Sequence, residues 1–170
     1  MVDFAGWSMP AQYTSIAEEH HATRKAVGVF DISHMGRLQF SGDNTAQFLD
    51  SLTTRRVADL NFYQIRYSLL CNEAGRILDD VLIYGPDDAV SPIPHREHST
   101  FSMVVNASNR EKIVNWLNRH AIQSGTDVKD ITLRSAMMAV QGPRAISLME
   151  SLVQPRPTPV SSRRYYTYGS

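Results

Sequence analysis

The stretch Ile77-Leu78-Asp79-Asp80-Val81-Leu82-Ile83-Tyr84 decides the fold that this sequence predicts. It is an apolar, β-rich run, and a second such run at residues 65–70 precedes it across the short segment 71–75. Two apolar runs joined by a short Gly-containing segment predict a β-hairpin. Because successive side chains in a strand point to opposite faces, Asp79 and Asp80 cannot enter the same site.

Further elements are predicted on both sides of this hairpin. Before the hairpin, alternating apolar and polar residues predict a strand at residues 37–41. Apolar residues at helical spacing then predict a helix at 44–52. After it come a strand at 101–105, an amphipathic helix at 109–121 and a buried strand at 137–140. The order strand, helix, three strands, helix, strand predicts an α+β fold with a ferredoxin-like antiparallel sheet and two helices.

The flanks of this central unit predict a second, smaller one. Residues 1–13 are expected to form a packed loop, and Ser15 with Glu18 has the spacing of a capping box that starts a helix ending near Lys25. A short strand at 29–32 and a last helix at 144–152 complete the flanks. The predicted organisation is therefore an inserted ferredoxin-like domain at 38–123 and an incomplete domain formed by 1–37 plus 124–170.

Composition and charge exclude several classes of protein. The 170 residues carry 17 Lys and Arg against 17 Asp and Glu, so no net charge favours nucleic acid or an anionic membrane. Cys71 is the only cysteine, which excludes an intramolecular disulfide and a cysteine-based zinc site. No stretch reaches the roughly 18–20 apolar residues of a membrane span, and the N-terminus lacks the pattern of a signal peptide. These features predict a cytoplasmic protein with no membrane and no nucleic-acid partner.

One acid of the Asp79–Asp80 pair is the strongest candidate for chemistry. A carboxylate placed among Leu, Ile and Tyr is costly to desolvate, which suits a group that accepts or orients a proton on a bound nitrogen. The alternative is a structural acid that accepts hydrogen bonds from backbone amides. The residues themselves leave both interpretations open.

Other candidate sites are weak. His20 and His21 are adjacent and therefore point about 100° apart on a helix, while His95 and His98 lie in a Pro-flanked segment without an acid at a diagnostic spacing. No metal site is predicted. Phosphate-binding glycine loops and a nucleophile elbow are absent from the sequence. Four aromatic residues could form walls for a flat heteroaromatic ligand, but each is more often simply part of a core: Tyr67, Tyr84, Trp7 and Trp116.

Several strings, in order, resemble the aminomethyltransferase family, the T-protein of the glycine cleavage system. They are Met1-Val2-Asp3-Phe4-Ala5-Gly6-Trp7-Ser8-Met9-Pro10, then Glu19-His20-His21-Ala22-Thr23-Arg24 with Gly28-Val29-Phe30-Asp31-Ile32-Ser33-His34-Met35, then residues 72–84, 104–112 and 139–143. These ordered strings are spread over nearly the whole chain. The resemblance implies a three-lobed fold around a central folate site.

The resemblance also implies an activity. Such an enzyme takes the aminomethyl group from the lipoyl arm of H-protein, passes the one-carbon unit to tetrahydrofolate and releases ammonia. Asp79 aligns with the essential aspartate of the family, and Asp80 is then the outward, structural acid. The substrate-binding positions implied for the folate cavity are Met35, Tyr67, Tyr84 and Asn106.

The sequence departs from the family in three places. Residues 85–100 are longer and richer in Pro than the usual connection, and Gly75-Arg76 replaces a Gly-Gly pair. The family continues beyond a Tyr-rich strand like residues 163–168 into a C-terminal half that supplies a glutamate and arginines to the folate. Because these parts are missing here, we expect little or no turnover from this chain alone. The rival interpretation is a non-catalytic folate-binding or interaction module from a shortened gene.

Overall fold

The computed structural model describes residues 1–61, 64–87 and 100–152. Within these ranges the chain forms nine strands and four α-helices. In chain order they are β1 (Val2–Phe4), β2 (Trp7–Met9), α1 (Ile16–Lys25), β3 (Gly28–Asp31), β4 (Gly36–Ser41), α2 (Thr45–Leu52), β5 (Ile65–Cys71), β6 (Ile77–Asp87), β7 (Thr100–Val105), α3 (Arg110–Ser124), β8 (Asp127–Asp130), β9 (Met138–Gln141) and α4 (Ala145–Leu152).

A five-stranded antiparallel sheet in the order β5-β6-β7-β4-β8 forms the centre of the molecule. Helices α2 and α3 pack on one face of it, since their apolar residues recur at helical spacing and turn toward the sheet. Each fully buried aliphatic side chain stabilises this core by about 1.5–3 kcal/mol relative to exposure. The core includes Leu38, Phe40, Phe48, Leu49, Val81, Ile83, Met103, Ile113 and Leu117.

The opposite face of the sheet carries the strand residues that alternate with the core residues along each strand. We call it the front face; Tyr67, Asp80, Leu82, Tyr84 and Val104 lie on it. The strand register shows that they are neighbours, because Tyr67 pairs with Leu82 and Leu82 with Val104. The front face is therefore continuous across β5, β6 and β7.

The predicted α+β class with an antiparallel sheet is confirmed, but its last strand was assigned wrongly. The strand predicted at 137–140 is β9, which pairs with β3 in a separate two-stranded sheet and is not buried. The fifth strand of the central sheet is instead β8, which pairs with β4. The sheet thus extends past residue 123, and the division into 38–123 and its flanks stays a prediction.

The expectation of a packed loop at residues 1–13 was also wrong in part. β1 and β2 form a hairpin in which Phe4 pairs with Trp7, so Ala5 and Gly6 make a two-residue turn. Both turn residues have positive φ, 52° at Ala5 and 81° at Gly6, as a type I′ turn requires. Most of the predicted excursion at 85–100, with His95 and His98, and all of residues 163–168 lie outside the described ranges.

The N-cap predicted at Ser15 for α1 is confirmed, although the Glu18 carboxylate bonds the Ser15 hydroxyl rather than its backbone amide. The Ser15 hydroxyl accepts a hydrogen bond from the Glu18 amide at 3.2 Å and donates one to Glu18 Oε2 at 2.9 Å. Two further amides, those of Tyr13 and Thr14, donate to Glu19 Oε1. These backbone hydrogen bonds lower the pKa of the Glu19 carboxyl from its ordinary value.

Arg37 connects the central sheet to the segments that lead to β3 and β9. Its side chain is buried, and the guanidinium donates to the carbonyls of Ser33 at 3.0 Å, Met35 at 2.8 Å and Ser135 at 2.8 Å, to that of Thr132, and to Ser135 Oγ at 2.9 Å. Burial lowers the pKa of the Arg37 guanidinium from its ordinary value, and the nearby Asp130 carboxylate opposes this.

Asp130 supports the same junction from β8. Its carboxylate accepts from the Thr132 amide at 2.9 Å, from the Thr132 hydroxyl at 2.5 Å and from Arg110 Nε at 2.8 Å. Burial raises the pKa of the Asp130 carboxyl, but these hydrogen bonds and the Arg110 charge outweigh it, so the pKa lies below its ordinary value.

In the described ranges no helix is long and apolar enough to cross a membrane.

Candidate functional site

Asp79 lies on the face of β6 that α2 and α3 cover. It shares the strand parity of Val81 and Ile83, both core residues, and is only 4% exposed. Its Oδ2 accepts from the Asn106 amide at 2.9 Å, while Oδ1 accepts from Asn106 Nδ2 at 2.9 Å and from Asn109 Nδ2 at 2.6 Å. A carboxylate with three donors satisfies its hydrogen-bonding needs within the protein and fixes the connection between β7 and α3.

Asp80 lies on the front face and is exposed. Its Oδ2 accepts from the Tyr67 hydroxyl at 3.2 Å, and its Oδ1 accepts from Asn106 Nδ2 at 2.8 Å. The register explains both contacts. Tyr67 is the diagonal neighbour of Asp80 across β5 and β6. On the other side, β6 pairs Leu82 with Val104, and two residues further along the same register Asp80 is opposite Asn106.

Met35 and Tyr84 belong to the same neighbourhood. Met35 immediately precedes β4, and continuing the β4–β7 register one residue beyond the Gly36–Val105 pair sets it opposite Asn106. Its carbonyl is held by Arg37. Tyr84 is on the front face, four residues along β6 from Asp80 and opposite Ile65. Both side chains are half-buried.

The geometry therefore brings two of the predicted site residues, Tyr67 and Asn106, into contact with Asp80. Met35 and Tyr84 lie farther away, Met35 opposite Asn106 in the continued register and Tyr84 four residues along β6, and Asp79 has the other strand parity. Asp79 is buried on the helix-covered side and Asp80 is exposed, while both carboxylates accept from Asn106 Nδ2, so the roles predicted for the two acids stay predictions. The catalytic role predicted for Asp79 is untested, but its contacts are those of the structural alternative.

Sequence reasoning missed Asp80 as a site residue, although a signal for it was present. Tyr84 and Asp80 are an even number of residues apart, so they must share a face of β6, while Asp79 shares a face with Val81 and Ile83. It also missed Asn109, which donates to Asp79, and Lys112, which donates to Asn109. No sequence pattern links these two residues to the hairpin, because the contact joins separate elements.

The chemistry available on the front face follows from these groups. An ionised carboxylate is an acceptor only, so Asp80 can receive N–H groups or stabilise a positive charge. Tyr67, which is 44% exposed, and Tyr84 offer aromatic surface beside it. This combination fits a flat, nitrogen-rich ring that presents N–H donors at its edge.

Other locations are less suited to a ligand. Within the described ranges, no group of three or more His, Cys, Asp or Glu side chains is placed to hold a metal ion. A surface depression of about 550 Å³ lies on the outer side of α3, lined by Asn115, Asn118, Arg119 and Ile122. It is wide open to solvent and shares no residue with the front face.

Comparisons with known proteins agree with the resemblance seen in the sequence. The chain is 43% identical over 156 residues to an aminomethyltransferase of Thermotoga sp. (strain RQ2), an alignment that covers 91% of this chain and 40% of the relative. An aminomethyltransferase of Thermotoga maritima is 42% identical over the same length, with the same coverage. The chain thus spans about 40% of the length of these curated relatives.

A solved structure shares the fold. The crystal structure of glycine cleavage system aminomethyltransferase T from Bartonella henselae matches with a TM-score of 0.77 and 31% identity, over 88% of this chain and 38% of that one. The family model described as the GCVT N-terminal domain matches residues 1–170. The resemblance is confirmed: the chain belongs to the GCVT N-terminal domain family, the family of the glycine cleavage aminomethyltransferases.

Proposed function

We propose that this chain forms part of a tetrahydrofolate-dependent aminomethyltransferase of the glycine cleavage system. The reaction transfers the one-carbon unit of an aminomethyl-lipoyl H-protein to tetrahydrofolate and releases ammonia. The observation that carries the proposal, beyond family membership, is the contact of Tyr67 and Asn106 with the exposed Asp80 carboxylate, on a face of the sheet that also carries Tyr84.

The front face is the proposed folate-binding surface, with Asp80 rather than Asp79 as its reactive acid. Tetrahydrofolate supplies the ring nitrogen that attacks the aminomethyl carbon. Asp80 accepts N–H groups of the folate ring and stabilises positive charge that develops on its nitrogens. The support for this choice is exposure and direction, since Asp79 is buried and already accepts three hydrogen bonds.

The remaining front-face groups have positioning roles in this proposal. Tyr67 donates to Asp80 and so orients its carboxylate. Met35 and Tyr84 provide apolar and aromatic surface against which a flat ring can pack. The ring is then held with its N–H edge toward the carboxylate, which is the geometry that proton transfer requires.

The finer parts of the prediction belong to the same proposal. We interpret the central sheet with α2 and α3 as the inserted ferredoxin-like unit, supported by the strand order and by the packing of both helices on one face. The partners are lipoylated H-protein and tetrahydrofolate, with no nucleic acid or membrane, and the location is the cytoplasm. Turnover by this chain alone is expected to be small, because the chain spans about 40% of the length of its curated relatives and a ligand that loses its water without gaining all of its contacts binds weakly.

Anaerobic calorimetry of tetrahydrofolate with this chain tests the proposed surface. We expect weak but saturable binding. The control ligand is p-aminobenzoyl-glutamate, which is the folate tail without the pterin ring and should release no comparable heat. If a chain shown to be folded by circular dichroism gives only heat of dilution with tetrahydrofolate, the front face does not bind folate and the proposal is wrong for this chain.

A further inference from the structure

A chain of hydrogen bonds runs from α3 through the sheet to the front face. Lys112 Nζ donates to Asn109 Oδ1 at 2.9 Å and to the Leu78 carbonyl at 2.7 Å. Asn109 Nδ2 donates to Asp79, and Asp79 accepts two hydrogen bonds from Asn106. Asn106 Nδ2 then donates to Asp80. The network therefore joins the buried acid of the pair to the exposed one.

The orientation of each amide in this network is determined by charge. The Lys112 ammonium can only donate, so it faces Asn109 Oδ1 and leaves Asn109 Nδ2 for the Asp79 carboxylate. Asn109 occupies the N-cap position of α3, yet its side chain makes no capping hydrogen bond. An Asn at this position ordinarily caps its own helix. Here the Asn109 side chain instead donates its amide hydrogen bond to Asp79.

Asn106 is oriented in the same way by two carboxylates. Its Nδ2 faces Asp79 Oδ1 at 2.9 Å and Asp80 Oδ1 at 2.8 Å, so both amide protons are used. In the described part of the chain no hydrogen bond to Asn106 Oδ1 is present. Asn106 therefore offers the front face an acceptor, and together with Asp80 it favours a ligand that presents N–H donors.

We propose that Asn109 and Lys112 are positioning residues, which hold Asp79 and through it fix the amide of Asn106 and the carboxylate of Asp80 at the front face. This inference rests on the proposed function for its ligand, a ring with N–H donors. Its structural content, the fixed orientation of Asn106, is measurable without any ligand. Neither residue needs to touch the substrate.

Nuclear magnetic resonance of the Asn side-chain amides tests the proposal directly. In Asn109→Ala we expect the Asn106 Nδ2 protons to exchange with water about tenfold faster or more, because Asp79 is no longer held in place. Lys112→Met should give a smaller change in the same direction, and Lys112→Arg, which keeps a cationic donor, should restore slow exchange. The matched control is Asn118→Ala, on the exposed side of the same helix, which should leave Asn106 unchanged.

Urea unfolding and folate titration of the same variants separate the outcomes. If Asn109→Ala lowers stability but leaves the Asn106 amide as in the wild type, its role is only structural and the proposal is wrong. In a wild-type chain that binds tetrahydrofolate, Asn109→Ala should weaken binding about tenfold, as expected for one lost orienting hydrogen bond to a charged group. If the wild type does not bind, the proposed function fails, while the exchange of Asn106 still decides whether the positioning residues act as proposed.

Discussion

Arg37→Met is expected to lower the free energy of unfolding by about 3–5 kcal/mol, the largest effect of any single substitution considered for this chain. Methionine keeps much of the apolar volume of the Arg37 side chain and removes its five donors. The carbonyls of Ser33, Met35, Thr132 and Ser135 would then lose their partner, at a bond that is buried for Thr132 and part-buried for the other three. An unsatisfied buried polar group costs about 1–3 kcal/mol.

The loss of stability in Arg37→Met should be visible in urea unfolding followed by circular dichroism. Arg37→Lys is expected to recover only part of the stability, because an ammonium cannot form the planar fork that serves carbonyls on two segments. Arg76→Met, at an exposed arginine in the turn between β5 and β6, is the control and should change stability by less than about 0.5 kcal/mol. If Arg37→Met unfolds at the same urea concentration as the control, the role of Arg37 as a connector is wrong.

Asp79→Asn is expected to lower the stability of the fold much more than Asp80→Asn does. Asp79→Asn should lower the free energy of unfolding by about 2–4 kcal/mol. Both oxygens of Asp79 accept hydrogen bonds, so whichever way the new amide turns, its NH2 group faces a donor on Asn106 or Asn109. Asp80→Asn should change stability by less than about 1 kcal/mol, because the Tyr67 hydroxyl can accept as well as donate.

Folate binding measured beside stability should separate the two acids: Asp79→Asn, which releases Asn106, is expected to weaken binding only together with its loss of stability. Asp80→Asn is expected to weaken tetrahydrofolate binding at least about tenfold, since a charge-assisted acceptor is lost at the proposed site. The measurement is a calorimetric titration of each variant beside its urea unfolding curve. A variant pair in which Asp79→Asn abolishes binding at full stability, while Asp80→Asn binds normally, would return the reactive role to Asp79.

Much of the fold could be predicted because its elements carry local signals. The hairpin β5–β6, the helices α2 and α3 and the N-cap at Ser15 all follow from periodicity or from spacing. β8 could not be predicted in this way, because three of its four residues are charged and form no apolar run: Asp127, Lys129 and Asp130. The hairpin β1–β2 could not be predicted either, since Ala5 adopts the positive φ that its turn needs and Ala rarely does so.

Resemblance supplied Met35, Tyr67, Tyr84 and Asn106 as site residues. The structure shows Tyr67 and Asn106 in contact with Asp80, and the site roles of all four stay predictions. Choosing between Asp79 and Asp80 required knowing which face of β6 the helices cover. The parity of Val81 and Ile83 contains that information, whereas the contacts of Asp79 with Asn109 depend on how α3 docks.

The central claim is that folate binds to the front face, and methionine methyl resonances test it most directly. The chain carries Met35, which is opposite Asn106 when the β4–β7 register is continued, and Met103, which is buried on the helix-covered face. With 13C-methyl-labelled methionines, titration with tetrahydrofolate should shift the Met35 resonance progressively and leave Met103 unchanged, and Asp80→Asn should suppress the Met35 shift. Saturable binding that leaves Met35 unmoved would contradict the account, because the ligand would then occupy a different surface.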